Sequence, residues 1–344
     1  MSVVIQFRRD TASNWTSVNS VLAAGEPGYE SNTGLWKVGD GVSAWNSLAY
    51  NTGNNGVFDS ALLTEIEDPG AAPAGKMRLY AHDIAGRMMP KFVGPSGLDS
   101  ALQPFIARNK VGCWMPPGNA NTVPGVFGFT AYTVVGTLTA RNVAATNLFT
   151  RMRRLGIVGS SAAGNAAAAR AAVAQITVGN GSGLGGFHKI IRFGISDAVL
   201  VSGARTFVGI SSSTAAPTNV EPSTLTNCIG VGNGAADTNL KIYYGGSTAQ
   251  TPIDLGANFP SNTVNTDVYE LALFSPPSLN GVVYYEVTRL NTGHVASGIL
   301  SGNPGVILPA NTTLLSYAQI WRNNNATAAA AALDIMSDYI ETDY

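Results

Sequence analysis

The chain has 344 residues, of which 45% are hydrophobic and only 12% are charged. That charged fraction is about half that of an ordinary soluble domain, so Ser, Thr, Asn and Gly must cover much of the surface, as in all-β extracellular proteins. The formal net charge is −1, and the one cluster of cations is Arg151, Arg153 and Arg154. Because nucleic-acid binding needs several clustered cations, the sequence argues against a nucleic-acid partner.

Membrane insertion, secretion and metal binding have no sequence signal. No stretch reaches the ~18 apolar residues that cross a membrane, and the N-terminus lacks the pattern of a signal peptide. Cys113 and Cys228 have neither CxxC nor zinc-site spacing, so we expect two half-buried free thiols, with Cys113 at a core position. We therefore expect a protein made in the cytoplasm, with no cofactor and no membrane insertion.

The first elements in the chain are short strands and one helix. Residues 5–8 alternate apolar and polar side chains, which indicates a half-buried strand. Asp10 and Thr11 can cap a helix over residues 12–18. Residues 26–38 predict a hairpin around an Asn-Thr-Gly turn. A segment this short rarely folds alone, and it lacks Cys and His for a disulfide or metal, so we expect partner subunits to complete it.

Several motifs follow one another closely in this stretch: Gln6-Phe7-Arg8-Arg9, Trp15-Thr16, Val21-Leu22-Ala23-Ala24-Gly25-Glu26-Pro27-Gly28-Tyr29-Glu30, Asn32-Thr33-Gly34, Lys37-Val38-Gly39-Asp40-Gly41 and Trp45-Asn46-Ser47-Leu48. Their order and spacing resemble the N-terminal module of phage tail fibres and receptor-binding proteins, the family named after the major tropism determinant. The resemblance implies a component of the virion tail, usually a trimer. It leaves open what the protein binds.

Residues 51–107 read as a connecting segment. Residues 76–81 alternate as in a strand, and residues 83–87 form a turn. The pattern from Gly75 to Tyr80, followed by Gly94 to Gly97, is similar to the shoulder segments that join module and head in phage tail fibres. A plain linker with one extra hairpin is the alternative.

Further along, short strands and turns alternate without intervening helices of comparable length. This spacing predicts an antiparallel β-sandwich or barrel and argues against a parallel βαβ sheet. The predicted strands are residues 187–193, 205–210, 240–244, 268–274 and 282–289, and a turn at 291–293 leads to one more strand.

Three segments are ambiguous. Residues 162–174 are rich in alanine, the best helix former, but Gly and Asn interrupt them and we favour strand pairing. The alanines of 325–332 pose the same problem, and residues 333–335 indicate a final strand. Residues 230–234 are glycine-rich but lack the spacing of a dinucleotide or calcium loop, so we predict a tight turn between strands.

Scattered motifs in this region resemble the C-terminal heads of phage tail fibres and tailspikes, which are lectin-like jelly-roll sandwiches. The resemblance implies such a head over roughly residues 153–344. The motifs are Gly185-Gly186-Phe187, Arg192-Phe193-Gly194-Ile195, Arg205-Thr206-Phe207-Val208-Gly209, Cys228-Ile229-Gly230-Val231-Gly232, Trp321-Arg322-Asn323-Asn324 and Tyr339-Ile340-Glu341-Thr342-Asp343.

The sequence contains no GxSxG, HExxH or P-loop motif, and His82, His188 and His294 are isolated. A glycosidase needs two carboxyl groups ~5–9 Å apart. Phage depolymerases usually carry a long repetitive β-helix, and no such repeat is visible. We therefore predict no catalytic residue. The carboxylates that could pair in the fold are Asp197, Asp237, Asp254, Asp267, Glu270 and Glu286.

Glycan binding uses aromatic faces together with a few amides, carboxylates or Arg side chains. Because side chains alternate along a strand, one tyrosine of each adjacent pair should face outward, where cross-strand packing is the alternative role. The candidate ligand-binding residues are Tyr243, Tyr244, Tyr284, Tyr285, Trp321, Arg322 and Asn323.

The sequence thus predicts an all-β protein with an N-terminal module (1–50), a shoulder (51–107) and an antiparallel, jelly-roll or lectin-like β-sandwich head (108–344). We expect a homotrimer in the virion tail, made in the host cytoplasm. Its partners would be other phage tail proteins, through the module, and a bacterial surface glycan or protein, through the head. The alternatives to such a non-enzymatic tail fibre or receptor-binding protein are a depolymerase that cleaves surface polysaccharide and a purely structural tail or baseplate protein.

Overall fold

The computed structural model describes residues 7–51, 62–67, 69–95, 99–101, 110–123 and 130–342. The chain divides into two compact units, Met1–Thr64 and Glu65–Tyr344. It is nearly all β, as predicted, and the α-helices of the described residues are α1 (Ala12–Val18) and α2 (Leu148–Arg151). Neither of them is long enough to span a membrane.

The first unit contains a three-stranded sheet and α1. Strand β1 (Arg8–Asp10) pairs in parallel with β2 (Pro27–Glu30), which pairs antiparallel with β3 (Trp36–Val38). The predicted helix and hairpin are confirmed, and the Thr11 hydroxyl caps α1 by accepting a hydrogen bond from the Asn14 amide. The strand predicted at residues 5–8 lies partly outside the described residues, and β1 starts at Arg8.

Two stacked tryptophans form the core of this unit. The rings of Trp15 and Trp45 lie 4.1 Å apart between centroids, and Leu22 is buried in the same cluster. The Lys37 ammonium lies 4.9 Å from the centre of a Trp45 ring and donates a 2.8 Å hydrogen bond to the Trp45 carbonyl. The two stacked indoles and Leu22 therefore form the buried apolar cluster of this small unit.

The strand predicted at residues 76–81 overlaps β4 (Arg78–Ile84) of the second unit, which forms a hairpin with β5 (Arg87–Val93). Strand β6 (Asp99–Ala101) pairs with β5. The head follows. Its strands are β7 (Lys110–Trp114), β8 (Thr133–Val135), β9 (Thr137–Arg141), β10 (Arg154–Val158), β11 (Ala166–Arg170), β12 (Ala174–Ile176), β13 (Phe187–Ile195), β14 (Arg205–Ser211), β15 (Cys228–Asn233), β16 (Lys241–Gly245), β17 (Ile253–Asp254), β18 (Tyr269–Ser275), β19 (Val282–Arg289), β20 (His294–Ser301), β21 (Leu315–Asn323) and β22 (Ala332–Thr342).

These strands build two eight-stranded antiparallel sheets, which confirms the predicted sandwich. The first sheet has the order β20-β19-β18-β13-β22-β10-β9, with β7 also paired to β22. The second has the order β17-β16-β15-β14-β21-β11-β8, with β12 also paired to β21. Inward side chains of both sheets form one core, including Ile191 and Leu271 of the first sheet and Val208, Ile229 and Ile242 of the second.

The alanine-rich segment is a strand, β11, as we favoured over a helix. Ala167 and Ala169 face the core between the sheets, whereas Ala168 packs with Trp321 on the opposite face. Small side chains fit where neighbouring strands already carry large aromatic rings, so packing overrides the helix propensity of alanine. The final strand predicted at residues 333–335 is confirmed as part of β22.

The tight turn predicted at residues 230–234 is wrong, because β15 runs through Gly230 and Gly232 up to Asn233. The backbone of β14 lies so close that a Cβ on Gly232 would be 1.9 Å from the Thr206 carbonyl oxygen. Glycine at this position permits a close approach between two strands. The sequence alone does not distinguish a glycine needed for such an approach from a glycine needed for a turn.

We expect Gly232→Ala to lower the free energy of unfolding by about 1–3 kcal/mol, because the added methyl overpacks the contact with the β14 backbone. The measurement is the midpoint of urea-induced unfolding. Gly94→Ala is the matched control, since a Cβ there meets no atom within 4 Å. Equal midpoints for the two variants would contradict this account of β15.

Both cysteines are free thiols, as predicted, but neither is half-buried. Cys228 is fully buried in the head, whereas Cys113 is exposed. The core position predicted for Cys113 is wrong because its neighbour Trp114 occupies the inward side of β7.

Candidate ligand-binding site

The predicted binding residues lie on different faces of the sandwich. Tyr243 and Trp321 lie on the outer face of the second sheet, where they pack with Phe207. Tyr284 is on the outer side of the first sheet and stacks on Phe274, with ring centroids 6.1 Å apart. The structure therefore does not bring the predicted residues together into one site.

The remaining predicted residues are buried or half-buried. Tyr285 belongs to the main core, and Tyr244 is half-buried against the same core. Asn323 is buried, donates to the Gly164 carbonyl at 3.0 Å and accepts from the Asn325 amide at 2.6 Å. A ligand cannot reach the Asn323 side chain in this structure, and its predicted binding role remains untested.

Arg322 is also buried, inside the end of the sandwich. Its guanidinium contacts both carboxylate oxygens of Asp197, with the shortest contact 2.6 Å, and donates to the Thr206 hydroxyl at 2.9 Å. Trp321 faces outward on β21, so Arg322 faces inward by the alternation of strand side chains. In this structure Arg322 stabilises the sandwich by pairing with Asp197. Its predicted contact with a ligand stays a prediction.

A polar cavity of about 320 Å³ opens beside Tyr243, near the edge of the second sheet. Strand β16, the loop after β15 and the 3-10 turn Pro222–Thr224 contribute to its walls. Its lining residues are Glu221, Ser223, Gly234, Ala235, Ala236, Asp237, Lys241, Tyr243 and Pro252. We call this cavity the Tyr243 cavity.

Asp237 is the most highly connected polar group of the Tyr243 cavity. It accepts hydrogen bonds from the Tyr243 hydroxyl at 2.7 Å and the Gly234 amide at 2.8 Å, and it pairs with the Lys241 ammonium at 2.6 Å. Burial alone would raise the pKa of Asp237, but the bonds from Lys241, Tyr243 and Gly234 outweigh it, so the pKa lies below its ordinary value. Asp237 is therefore a fixed anionic acceptor.

Glu221 supplies a second carboxylate from another loop. Its Oε1 accepts from the Arg205 Nε at 2.8 Å, and its Oε2 accepts from the Ala235 amide at 3.2 Å. A Cβ on Gly234 would lie 2.7 Å from the Glu221 Oε2 and 3.0 Å from the Asp237 Oδ2. A side chain at position 234 would have to displace one of these carboxylates, so the glycine leaves room for both of them.

A second cavity, of about 160 Å³, lies on the same outer face. Trp321 and Phe207 form its aromatic floor, and residues 215–218 form part of its rim. Gln319 fixes this rim by donating to the carbonyls of Ser213 and Ala215 at 2.7 and 3.0 Å. We call it the Trp321 cavity. Residues 215–225 contribute to both cavities, which therefore lie side by side on one face.

The other candidate carboxylates are engaged in the fold. Asp267 is buried and pairs with Arg289 at 2.9 Å, and Glu270 pairs with Arg192 at 2.5 Å. Burial raises the pKa of Glu286, which accepts from the Ala85 amide at the tip of the β4–β5 hairpin. Among the described residues, no three or more His, Cys, Asp or Glu side chains are grouped so as to hold a metal ion.

Comparison with known proteins confirms the N-terminal resemblance. Residues 5–43 match the family described as the major tropism determinant N-terminal domain. A hyaluronoglucosaminidase of Streptococcus pyogenes phage H4489A is 41% identical over 49 residues. That match covers 14% of this chain and 13% of the relative, so the two share only a short segment.

Solved structures similar to this chain include a lectin-like defense protein and a lectin from plants. Arcelin-5 from Phaseolus vulgaris has a TM-score of 0.44 at 8% identity, covering 68% of this chain and 98% of that one. Peanut lectin has a TM-score of 0.44 at 11% identity, covering 68% and 97%. A protein of unknown function from Shewanella oneidensis MR-1 has a TM-score of 0.42 at 10% identity, covering 68% and 86%. No residue role is carried over from these proteins.

Proposed function

We propose that this protein is a phage tail fibre or receptor-binding protein that attaches the virion to a glycan on the bacterial surface. The observation that carries the proposal is the match of residues 5–43 to the tropism-determinant module. The short identity with a phage protein supports the same origin. In this account the module (1–50) joins the protein to other tail proteins, the shoulder (51–107) follows, and the head (108–344) contacts the host.

The glycan site that we propose is the Tyr243 cavity. Sugars present many hydroxyl groups, and a site for them needs polar partners held in fixed positions before the ligand arrives. Asp237 and Glu221 offer anionic acceptors, Lys241 offers a donor, and each is held by bonds to its neighbours. The adjoining Trp321 cavity, with its rim of residues 215–218, would take a neighbouring sugar of the same chain.

Sites with low affinity for a single glycan can still attach a particle firmly to a cell when several copies act together. A homotrimer would present three copies on one rigid particle, and linked sites bind far more tightly than single ones when their geometry lets them engage together. We therefore propose trimeric assembly of the full chain.

An enzyme that degrades surface polysaccharide is the second candidate, because the phage relative is a hyaluronoglucosaminidase. A glycosidase needs one carboxyl group that stays protonated to act as the general acid. The lowered pKa of Asp237 fits an anionic acceptor and not this role. Incubation with purified polysaccharide should leave its chain length unchanged, and shortening of the chains would favour the enzyme.

The proposed function is tested by staining bacteria with the fluorescently labelled full-length protein, over a panel of surface types. We expect selective staining that free surface polysaccharide from the stained strain competes away. Absence of staining on every strain, with a protein shown to be folded, would favour a structural tail or baseplate protein instead.

We expect Asp237→Asn and Lys241→Met each to weaken glycan binding by about tenfold or more, since a hydrogen bond to a charged group contributes about 1.5–3 kcal/mol. The measurement is calorimetric titration with the competing polysaccharide. Glu270→Gln, on the other sheet, is the matched control and should bind like the wild type. Unchanged affinity in both cavity variants would remove the Tyr243 cavity as the site.

The pH dependence of binding follows from the pKa of Asp237, which lies below its ordinary value. A carboxylate of this kind stays ionised as the pH falls through about 4, the usual range of aspartate, and loses its charge only below that. We expect affinity for an uncharged glycan to hold constant from pH 7 to about pH 5. A loss of affinity already near pH 6, with the fold intact, would contradict this assignment.

A further inference from the structure

A lysine and an aspartate are in direct contact inside the apolar core of the sandwich. Lys189 on β13 and Asp338 on β22 are both fully buried, and the Lys189 Nζ touches the Asp338 Oδ1. The two strands are neighbours, with Ile191 opposite Asp338 and Lys189 opposite Ile340. The two side chains are therefore diagonal neighbours on the inner face of one sheet.

The surroundings favour the uncharged forms of both groups. Burial lowers the pKa of Lys189 and raises the pKa of Asp338, and in each case it outweighs the attraction between the two charges. Taking two charges out of water costs several kcal/mol per ion, which the attraction between them offsets only in part. In their uncharged forms, an amine beside a carboxylic acid is a nucleophile beside an electrophilic carbon.

A third group completes the cluster. The Tyr132 hydroxyl donates a 2.6 Å hydrogen bond to the Asp338 Oδ2, the oxygen that Lys189 does not contact. Trp114 and Tyr317 pack against the Tyr132 ring at 5.2 and 5.9 Å between centroids and hold it in place. Burial raises the pKa of Tyr132 well above its usual value, so the hydroxyl keeps its proton.

We propose that Lys189 and Asp338 condense into an intramolecular amide bond that covalently links β13 to β22. The Lys189 nitrogen attacks the Asp338 Cγ, the bond from Cγ to Oδ2 breaks, and Oδ2 leaves as water. Tyr132 gives its proton to the departing Oδ2 and recovers one from the Lys189 nitrogen. An amine and a carboxylic acid become an amide and one water, and the step needs no oxidant, reductant or cofactor.

The bond would close a long loop and tie the last strand of the chain to the centre of the first sheet. A covalent link of this kind reduces the freedom of the unfolded chain. It would also carry tension between the strands without separating them. The link would strengthen the head whatever ligand the head binds.

The test is mass spectrometry of the full-length protein after denaturation. We expect an intact mass lower than that of the uncondensed chain by one water, and a tryptic map in which the peptide of Lys189 is joined to that of Asp338. Lys241, paired with Asp237 at the half-exposed edge of the Tyr243 cavity, is the internal control and should show ordinary cleavage. The full uncondensed mass, with normal cleavage after Lys189, would overturn the proposal.

Variants separate the chemistry from the packing. The double variant Lys189→Met with Asp338→Leu keeps the volume of the pair without its reactive groups, and should show the full mass in a folded protein. Tyr132→Phe should lower the fraction of linked chains at a fixed time after synthesis while circular dichroism stays unchanged. An undiminished linked fraction in Tyr132→Phe would remove that residue from the mechanism.

Discussion

Arg322→Met is expected to lower the free energy of unfolding of the head by about 3–5 kcal/mol, because it leaves Asp197 buried without its cation. Asp197 would retain backbone hydrogen bonds from Ala332 and Val201 at 2.7 and 3.3 Å, which do not replace a charge. The measurement is the midpoint and slope of urea-induced unfolding, followed by circular dichroism.

Two further variants test the cause of this loss. Arg192→Met removes the cation of a partly exposed pair with Glu270 and should cost at most about 1 kcal/mol. Adding Asp197→Leu to Arg322→Met removes the stranded charge and should recover part of the stability. If Arg322→Met lowered the free energy of unfolding no more than Arg192→Met, the buried pair of Arg322 and Asp197 would not stabilise the sandwich.

The second large effect is expected in the N-terminal module. Trp45→Ala removes one of two stacked indoles and should cost about 3–5 kcal/mol, which is enough to unfold a unit with so small a core. The measurement is limited proteolysis, with cleavage expected within residues 1–64 and the remainder of the chain preserved.

Trp36 provides the matched control, because it lies on β3 of the same unit and its side chain is exposed. Trp36→Ala should leave the protease resistance of the module unchanged. If Trp45→Ala were as resistant as Trp36→Ala, the stacked pair would not be the core of the module.

Local patterns along the sequence predict much of the fold. The cap at Thr11 and the helix α1 are short-range features, and the alternation in β13, β18 and β19 shows directly which side faces the core. The glycines of β15 resemble a turn in the sequence. They are required because the backbone of β14 lies too close for a side chain, and no local sequence pattern reveals that distance.

The candidate site is harder to predict because its parts come from separate segments. Asp237, Lys241 and Tyr243 are close in sequence, but Glu221 arrives from a different loop, and only the fold brings its carboxylate to Gly234. Arg322 looks like a surface residue in the sequence. Its partner Asp197 is distant along the chain, so its burial becomes evident only in the folded structure.

We infer that the outer face of the second sheet binds a bacterial surface glycan. The most direct measurement is a crystal structure of the full chain with an oligosaccharide from the polysaccharide that competes with cell staining. The account predicts sugar density in the Tyr243 cavity, with hydroxyl groups bonded to Asp237 and Lys241. Sugar bound instead on the first sheet, with an empty Tyr243 cavity, would contradict it.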